Sequence, residues 1–115
     1  MTGPAALRSA ALSFAILALL SCSRGQAAAP AQPVTHTVSI ENMQFQPATL
    51  TVKAGDSVVW VNKDMFPHTA TSTSDAFDSG QIEAGASWTF RAATTGEFPY
   101  VCSLHPTMGG TLRVE

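Results

Sequence analysis

The chain carries short runs of alternating apolar and polar residues from Val34 onward. In the first run, apolar side chains recur at every second position, which is the period of a half-buried β-strand. Ser57–Asn62 is a second strong run, and Trp60 is predicted to point inward because a large indole fills the interior of a sandwich. By the same parity, Val58 and Asn62 should share the face of Trp60.

Five further segments show strand patterns between turn residues. They are Leu50–Val52, Thr69–Thr71, Ser87–Ala92, Phe98–Cys102 and Thr111–Val114. After residue 33 the sequence has no convincing apolar period of 3.6 residues, so strands and not helices are expected. Several short strands at this spacing predict an all-β fold, an antiparallel β-sandwich.

Residues 1–29 differ from the rest of the chain and have the pattern of an export signal. Arg8 supplies a positive charge, and Ala10–Leu20 is an apolar run of about eleven residues. That run is too short to cross a bilayer, which takes ~20 apolar residues. The sequence therefore predicts a leader and the start of a tether in residues 1–29, and one domain in residues 30–115.

Two processing sites remain open in this leader. Leu19–Cys22 resembles a bacterial lipobox, in which Cys22 would be lipidated and would tether the protein to a membrane. Ala27–Ala29 would instead suit a signal peptidase that requires small residues. We favour the lipobox because its cysteine follows the apolar run directly, which makes Ser23–Pro33 a flexible tether. Either site predicts export, and we expect the bacterial periplasm.

Length and charge limit the classes of function. The chain has 115 residues, of which 12% are charged, and its formal net charge is -2. The sequence contains no cluster of Lys and Arg that could follow a phosphate backbone, which argues against nucleic-acid binding. A domain of this size buries only ~60–65% of its extended-chain surface and holds a single core. We expect a monomer.

Four residues with metal-binding atoms occur at spacings that suit a small site. Cys102, His105 and Met108 lie three residues apart on one segment, and His68 lies upstream. Taken singly, a Cys is usually a small buried hydrophobe, and a Met in a loop usually serves packing. Together, one thiolate, two imidazoles and a long thioether bond form the set that suits copper in electron-transfer sites. The joint pattern predicts a site for one Cu(I)/Cu(II) ion.

The region around these residues resembles the cupredoxins, the type 1 blue-copper proteins. The resemblance rests on the Cys-x-x-His-x-x-Met spacing, the upstream Pro67–His68 pair and the run Gly96–Cys102, and it covers Val34–Glu115. The short loop is most similar to the amicyanin branch, since plastocyanin-like chains place more residues between His and Met. The resemblance implies a Greek-key β-barrel. It also implies a copper ion bound by His68, Cys102, His105 and Met108.

The resemblance assigns different tasks to the two histidines. It implies that His68 is buried and comes from a part of the barrel distant from the Cys102 segment. His105 should instead turn one ring edge to solvent and serve as the electron port. We expect its apolar neighbours to form a docking patch for a redox partner, a c-type cytochrome or a dehydrogenase or oxidase. These neighbours are Met65, Phe66, Pro67 and Pro106.

Two positions depart from the family pattern. Leu104 stands where related loops usually carry Pro, and its backbone N–H could donate a second hydrogen bond to the Cys102 sulfur. Such a bond would draw charge from the thiolate and raise the reduction potential. Thr69 replaces the Asn that often follows the first histidine, which puts the usual side-chain clasp between the two ligand segments in doubt. The backbone N–H of Thr69 can still reach the sulfur.

Enzyme chemistry explains the pattern less well than electron transfer does. A nucleophilic Cys102 with His105 as base would leave His68 and Met108 without a role. Nitrite reductase or multicopper oxidase chemistry needs further His ligands, and the chain has only three histidines. A zinc hydrolase would lack an acidic base in the motif. We predict an electron carrier and not an enzyme, and the alternative is a periplasmic copper chaperone or buffer with the same ligands.

Two remaining features are assigned other roles. His36 lies on a predicted strand far from the motif, and we expect it to be structural or exposed. Asp75, Asp78 and Glu83 make one segment acidic, and a solvated face explains this segment better than a docking site does.

Overall fold

The computed structural model describes residues 1–6 and 32–115 of the chain. Residues 1–6 are exposed and have no regular secondary structure. The predicted lipobox cysteine Cys22, the alternative processing site Ala27–Ala29 and the apolar run before them lie outside the described residues. No helix in the described part of the chain is long and apolar enough to cross a membrane.

Residues 32–115 form eight β-strands in two sheets. The strands are β1 (Thr35–Glu41), β2 (Gln44–Gln46), β3 (Thr49–Val52), β4 (Ser57–Asn62), β5 (Thr71–Ser72), β6 (Ser87–Arg91), β7 (Gly96–Cys102) and β8 (His105–Val114). One sheet has the order β2-β1-β4-β6 and the other the order β3-β8-β7-β5. The predicted all-β sandwich is confirmed.

Both sheets combine antiparallel with parallel pairs. β1 lies parallel to β4, and β3 lies parallel to β8. The remaining neighbours are antiparallel. Parallel neighbours cannot be joined by a tight hairpin, so the chain must cross between them. Such crossings fit the Greek-key arrangement that the resemblance implies, and they add two parallel pairs to the antiparallel sandwich expected from the alternation.

Alternate residues of the strands meet in a core between the sheets. On β4, the side chains of Val58, Trp60 and Asn62 are fully buried, as their parity predicted. Tyr100 and Cys102 are buried on β7. The rings of Trp60 and Tyr100 pack edge to face at 5.5 Å, an arrangement that aromatic pairs favour. Cys102 therefore lies at the end of a strand that aromatic packing anchors in the core.

The segment after Cys102 is a tight hairpin. Ser103 and Leu104 form the turn, and Cys102 already pairs with His105. β8 therefore begins at His105, six residues before the predicted start at Thr111. Antiparallel pairing on both sides of the turn restricts the directions in which the candidate ligands can point.

His36 has the structural role that was predicted. Its Nε2 lies 2.9 Å from Oδ2 of Asp56. Oδ1 of the same carboxylate accepts the backbone N–H of Val34, and Oδ2 accepts that of Lys53. The N–H of Val34 has the largest effect, followed by His36 and Lys53, and together they lower the pKa of Asp56 to about 2. This cluster ties the start of β1 to the turn before β4.

Candidate metal centre

Cys102, His105 and His68 converge although they come from three parts of the fold. Cys102 ends β7, His105 begins β8, and His68 lies between β4 and β5. One donor atom of each side chain lies within 4.8 Å of the donor atoms of the other two. Within residues 1–6 and 32–115, this is the only group of three or more His, Cys, Asp and Glu side chains with such geometry. The structure thus brings together three of the four predicted ligands.

The backbone around His68 is held by buried hydrogen bonds. The N–H of His68 donates to the carbonyl of Ile82 at 3.1 Å, and the N–H of Ile82 donates back at 2.7 Å. Asn62 Nδ2 donates to the carbonyls of Phe66 and Ile82 at 2.7 and 2.9 Å. A buried amide whose hydrogen bonds are satisfied fixes the segment around it. Asn62 therefore shapes the chain that carries His68 to the centre.

Asp64 holds the ring of His68 in one tautomer. Its Oδ2 lies 2.8 Å from Nε2 of His68, and its carboxylate accepts the backbone N–H groups of Asn42 and Met43 at 2.8 and 3.0 Å. Burial raises the pKa of Asp64, but the N–H groups of Met43 and Asn42 and the His68 ring outweigh burial and lower that pKa below 3.8. Since a carboxylate only accepts, Nε2 carries the proton and Nδ1 of His68 is free to bind a metal.

Asp64 was not anticipated from the sequence. A histidine that binds a metal usually donates its other ring N–H to a carboxylate, a carbonyl or water. Asp64 lies four residues before His68, so this expectation could have identified it. The donors from the β1–β2 turn could not have been inferred, because Asn42 and Met43 are more than twenty residues away and adopt left-handed φ angles of 54° and 58°.

The sulfur of Cys102 lies close to both imidazoles. Its Sγ is 3.8 Å from Nδ1 of His68 and 3.7 Å from Nδ1 of His105. Bonds of about 2.0 Å to nitrogen and 2.3 Å to sulfur, as at protein-bound zinc, can bridge atoms at this separation. Cys102 is a free thiol and is fully buried. A thiolate with two imidazoles is the equatorial donor set that copper favours, so these residues fit the predicted ion.

Met108 and His105 differ in their access to solvent. Met108 is buried on β8, three residues after His105, where its thioether can serve as the weak fourth donor that the copper pattern requires. His105 is only half-buried, whereas His68 is fully buried. The two rings lie 5.1 Å apart between centroids. The different exposure of the two histidines agrees with their predicted tasks.

Thr69 contacts the Cys102 segment through both its backbone and its side chain. Its N–H donates to Sγ of Cys102 at 3.3 Å, which confirms the hydrogen bond predicted for this residue. Its Oγ1 accepts the N–H of Ser103 at 2.8 Å, so a hydroxyl performs the clasp that was in doubt. In residues 32–115, the N–H of Leu104 makes no hydrogen bond to the sulfur, and the predicted second donor is not found.

The predicted apolar neighbours of the site are accessible to solvent. The exposed fractions of Met65 and Phe66 are 88% and 61%. Pro106 is exposed and Pro67 is half-buried. Leu104, in the turn next to the metal ligands, adds a further exposed apolar side chain. These five residues, which we call the apolar rim, flank His68 and His105 in the sequence.

One protein family matches almost the whole length of the chain. The profile of a family described as a cupredoxin-like domain matches residues 10–114. The chain belongs to the cupredoxin-like family. The resemblance inferred from the ligand spacing is therefore confirmed.

Individual cupredoxins are similar to this chain over part of their length. Chloroplastic plastocyanin from Tetradesmus obliquus is 40% identical over an alignment of 76 residues, and the match covers 56% of this chain and 52% of that protein. Amicyanin from Paracoccus versutus is 31% identical over an alignment of 83 residues, and the match covers 68% of this chain and 63% of that protein. The chain thus spans between half and two thirds of the length of these two relatives.

Solved structures of cupredoxins share the fold. A methionine-to-alanine mutant of amicyanin in its Cu(I) form superposes with a TM-score of 0.67 at 26% identity, covering 70% of this chain and 82% of that one. A copper-containing nitrite reductase from Thermus scotoductus superposes with a TM-score of 0.68 at 28% identity, covering 77% of this chain but only 25% of that one. The likeness to the reductase is therefore confined to a quarter of the enzyme.

Proposed function

We propose that this protein is an exported electron carrier that uses one copper ion. The proposed ligands are His68, Cys102, His105 and Met108. Membership of the cupredoxin-like family supports electron transfer by a copper protein. The observation that carries the proposal is the triangle of donor atoms, in which the buried Cys102 sulfur lies 3.8 and 3.7 Å from the Nδ1 atoms of the two imidazoles.

Side chains and backbone groups of the protein orient and shield the donor atoms of the proposed site. Bound copper supplies a reversible one-electron couple between Cu(I) and Cu(II). Asp64 retains the proton on Nε2 of His68, which leaves Nδ1 unprotonated for the ion. The N–H of Thr69 withdraws charge from the Cys102 sulfur. Burial of His68, Cys102 and Met108 keeps bulk water away from the donor atoms.

His105 is the proposed electron port, since it is half-buried whereas the other three proposed ligands are buried. The apolar rim around it would form the surface on which a redox partner docks. Electron-transfer encounters typically bury less than ~1,200 Å², and a small area allows the complex to dissociate quickly. A partner that covers His105 would bring its own redox centre close to the site without entering the core.

Export and partner class complete the proposal. Residues 1–29 would form the leader and the start of a tether, with Cys22 as the lipidated residue, and residues 30–115 would form the copper domain. The apolar run of Ala10–Leu20 supports export to the periplasm. The proposed partners are a c-type cytochrome or a dehydrogenase or oxidase, with the carrier itself a monomer.

The absorption spectrum of the copper-loaded protein tests the proposal. An electron carrier should bind one copper, show an intense thiolate-to-copper band in the visible region, and cycle reversibly by one electron while it keeps the metal. Cys102→Ser should abolish the band, whereas His36→Gln, a change in a histidine outside the site, should preserve it. Protein that binds no copper, or binds it without colour, would overturn the proposal.

Transfer of the metal separates the carrier from a copper chaperone with the same ligands. The buried donors and the fixed tautomer of His68 favour retention of the ion. The carrier should keep its copper in both oxidation states when it is mixed with a metal-free acceptor protein. Rapid loss of copper to the acceptor would support the chaperone instead.

A further inference from the structure

Four side-chain oxygens form a row from the ligand hairpin to the acidic segment after β5. Oγ1 of Thr69 lies 3.0 Å from Oγ of Ser103 and 2.9 Å from Oγ1 of Thr71. Oγ1 of Thr71 lies 3.2 Å from Oδ1 of Asp78. Asp78 is exposed on the acidic segment, whereas Thr69 is buried. We call the row Ser103–Thr69–Thr71–Asp78 the hydroxyl relay.

The acceptor at one end determines the direction of every hydrogen bond in the relay. A carboxylate only accepts, so the hydroxyl of Thr71 donates to Asp78. Each hydroxyl has one proton, and Thr71 must therefore accept from Thr69, which in turn must accept from Ser103. Bonds aligned in one direction polarise each other and become stronger than isolated ones. The relay thus has a single consistent arrangement that ends on a negative charge.

Thr69 connects this relay to the sulfur of the proposed metal site. Its hydroxyl oxygen also accepts the backbone N–H of Ser103 at 2.8 Å, and its own N–H donates to Sγ of Cys102 at 3.3 Å. Ser103 and Thr71 therefore hold the side chain of Thr69, while its backbone N–H points to the thiol. Any shift of the Thr69 side chain would change the distance between its N–H and the sulfur.

We propose that Thr69 is a positioning residue for the copper site, and that the hydroxyl relay lets the surface carboxylate of Asp78 tune the reduction potential. The inference rests on the proposed function. Hydrogen bonds to the cysteine sulfur adjust the potential of such sites, and a firmly held N–H favours Cu(I) by withdrawing charge from the thiolate. Asp78 strengthens this hold because its charge polarises the hydroxyls of Thr71 and Thr69.

Thr69→Val tests the centre of the relay in the whole chain. Valine has nearly the shape of threonine and keeps the N–H, but it removes Oγ1. We expect a lower reduction potential and a shifted thiolate-to-copper band. In the metal-free protein, the Ser103 amide should exchange about two- to tenfold faster, because its N–H loses one hydrogen bond. Thr73→Val is the matched control, since among residues 32–115 the Thr73 hydroxyl bonds only to the carbonyl of Pro99.

Asp78→Asn tests the charged end of the relay, and the sign of its effect is diagnostic. Asparagine still offers an oxygen to Thr71, but it lacks the negative charge. The hydrogen bonds of the relay should weaken, the N–H of Thr69 should be held less firmly, and the reduction potential should fall. A direct electrostatic effect has the opposite sign, because loss of a negative charge disfavours Cu(II) and raises the potential. Asp75→Asn, at an exposed acid of the same segment outside the relay, measures that direct effect.

Distinct outcomes would overturn each part of the inference. If Thr69→Val matches Thr73→Val in potential and in exchange of the Ser103 amide, Thr69 is not a positioning residue. If Asp78→Asn raises the potential as Asp75→Asn does, Asp78 acts only through space.

A second variant protects the test against a folding defect. Should Thr69→Val fail to fold, Thr69→Ser keeps the hydroxyl and should retain the wild-type potential, while Ser103→Ala removes the first donor and should lower it. The opposite pattern would contradict the relay. Amide exchange in the metal-free protein reports on the relay even if the wild-type chain binds no copper. A failure to bind copper would refute the proposed function and not the relay.

Discussion

Nε2 of His68 and Oδ2 of Asp64 are joined by a hydrogen bond of 2.8 Å. The same carboxylate accepts the N–H groups of Asn42 and Met43 in the turn between β1 and β2. One side chain thus couples a hairpin of the first sheet to a proposed ligand of the metal centre. The orientation of His68 depends on a turn that contributes no ligand of its own.

Asp64→Ala should weaken copper binding without removing a ligand. Nε2 of His68 would lose its acceptor, and the ring would be free to rotate or to change tautomer. Loss of such an orienting partner typically lowers metal affinity 10–100-fold, which competition against a chelator of known affinity would measure. Asp75→Ala, at an exposed acid away from the site, should leave the affinity unchanged. Equal affinities for the two variants would show that Asp64 does not orient His68.

Leu104→Pro should leave the reduction potential unchanged. In the described residues, the only backbone N–H that donates to the Cys102 sulfur is that of Thr69, so the N–H of Leu104 can be lost without altering the charge on the sulfur. Redox titration of the copper-loaded variant checks this expectation. A fall in potential would indicate that Leu104 does reach the sulfur in solution, as the sequence alone had led us to expect.

Asp56 should make the fold sensitive to acid. The N–H of Val34, together with His36 and Lys53, lowers the pKa of Asp56 to about 2 from an ordinary 3.8. A carboxyl whose pKa is lower in the folded state stabilises the fold above its unfolded pKa, and this contribution is lost as the pH falls from 3.8 towards about 2. Urea unfolding of the metal-free protein should therefore show declining stability in that window.

Asp56→Asn supplies the test of this acid sensitivity. The variant should be less stable than the wild type at neutral pH and should show a flatter decline between pH 3.8 and about 2. Glu83→Gln is the control, because the Glu83 side chain is exposed and makes no hydrogen bond within residues 32–115. An unchanged decline in Asp56→Asn would assign the acid sensitivity to other carboxyl groups.

Gly110→Ala should destabilise the fold, because Gly110 faces the ring of Tyr100 across the β7–β8 pair. A Cβ at this position would lie 2.5 Å from both Cζ and Oη of Tyr100, and the buried ring has little room to move. Overpacking of this kind costs about 1–3 kcal/mol. At Gly109 the nearest contact would be an ordinary 3.8 Å, so Gly109→Ala should change the unfolding free energy by less than about 0.5 kcal/mol.

The strands that alternate cleanly could be predicted from the sequence. β4 has the burial pattern of a strand with one face in the core, and its Val58, Trp60 and Asn62 were assigned to the correct face. β2 was not predicted, because three residues with a single apolar side chain carry too little periodicity. β8 was predicted to begin too late, because Pro106, Gly109 and Gly110 have the composition of a loop although they pair with β7 or lie in the strand.

The proposed ligands have a pattern that the sequence shows, whereas most of their supporting contacts could not be predicted. Cys102, His105 and Met108 have a diagnostic spacing within one segment. Asp64 and the hydroxyl of Thr69 act through tertiary contacts whose geometry depends on how the turns fold. Residue type alone gave no reason to expect that a threonine hydroxyl would clasp the ligand hairpin in place of an amide.

Phe66→Ser should slow electron exchange between two copper-loaded molecules without changing the reduction potential. The Phe66 side chain, two residues before His68, is 61% exposed, while only its backbone carbonyl takes part in the bond to Asn62. Loss of this contact from the docking surface should slow self-exchange roughly tenfold, equivalent to about 1.4 kcal/mol. Line broadening in mixtures of Cu(I) and Cu(II) protein measures the rate. Val34→Ser, at an exposed apolar residue before β1, should exchange at the wild-type rate, and equal rates in both variants would refute a docking role for Phe66.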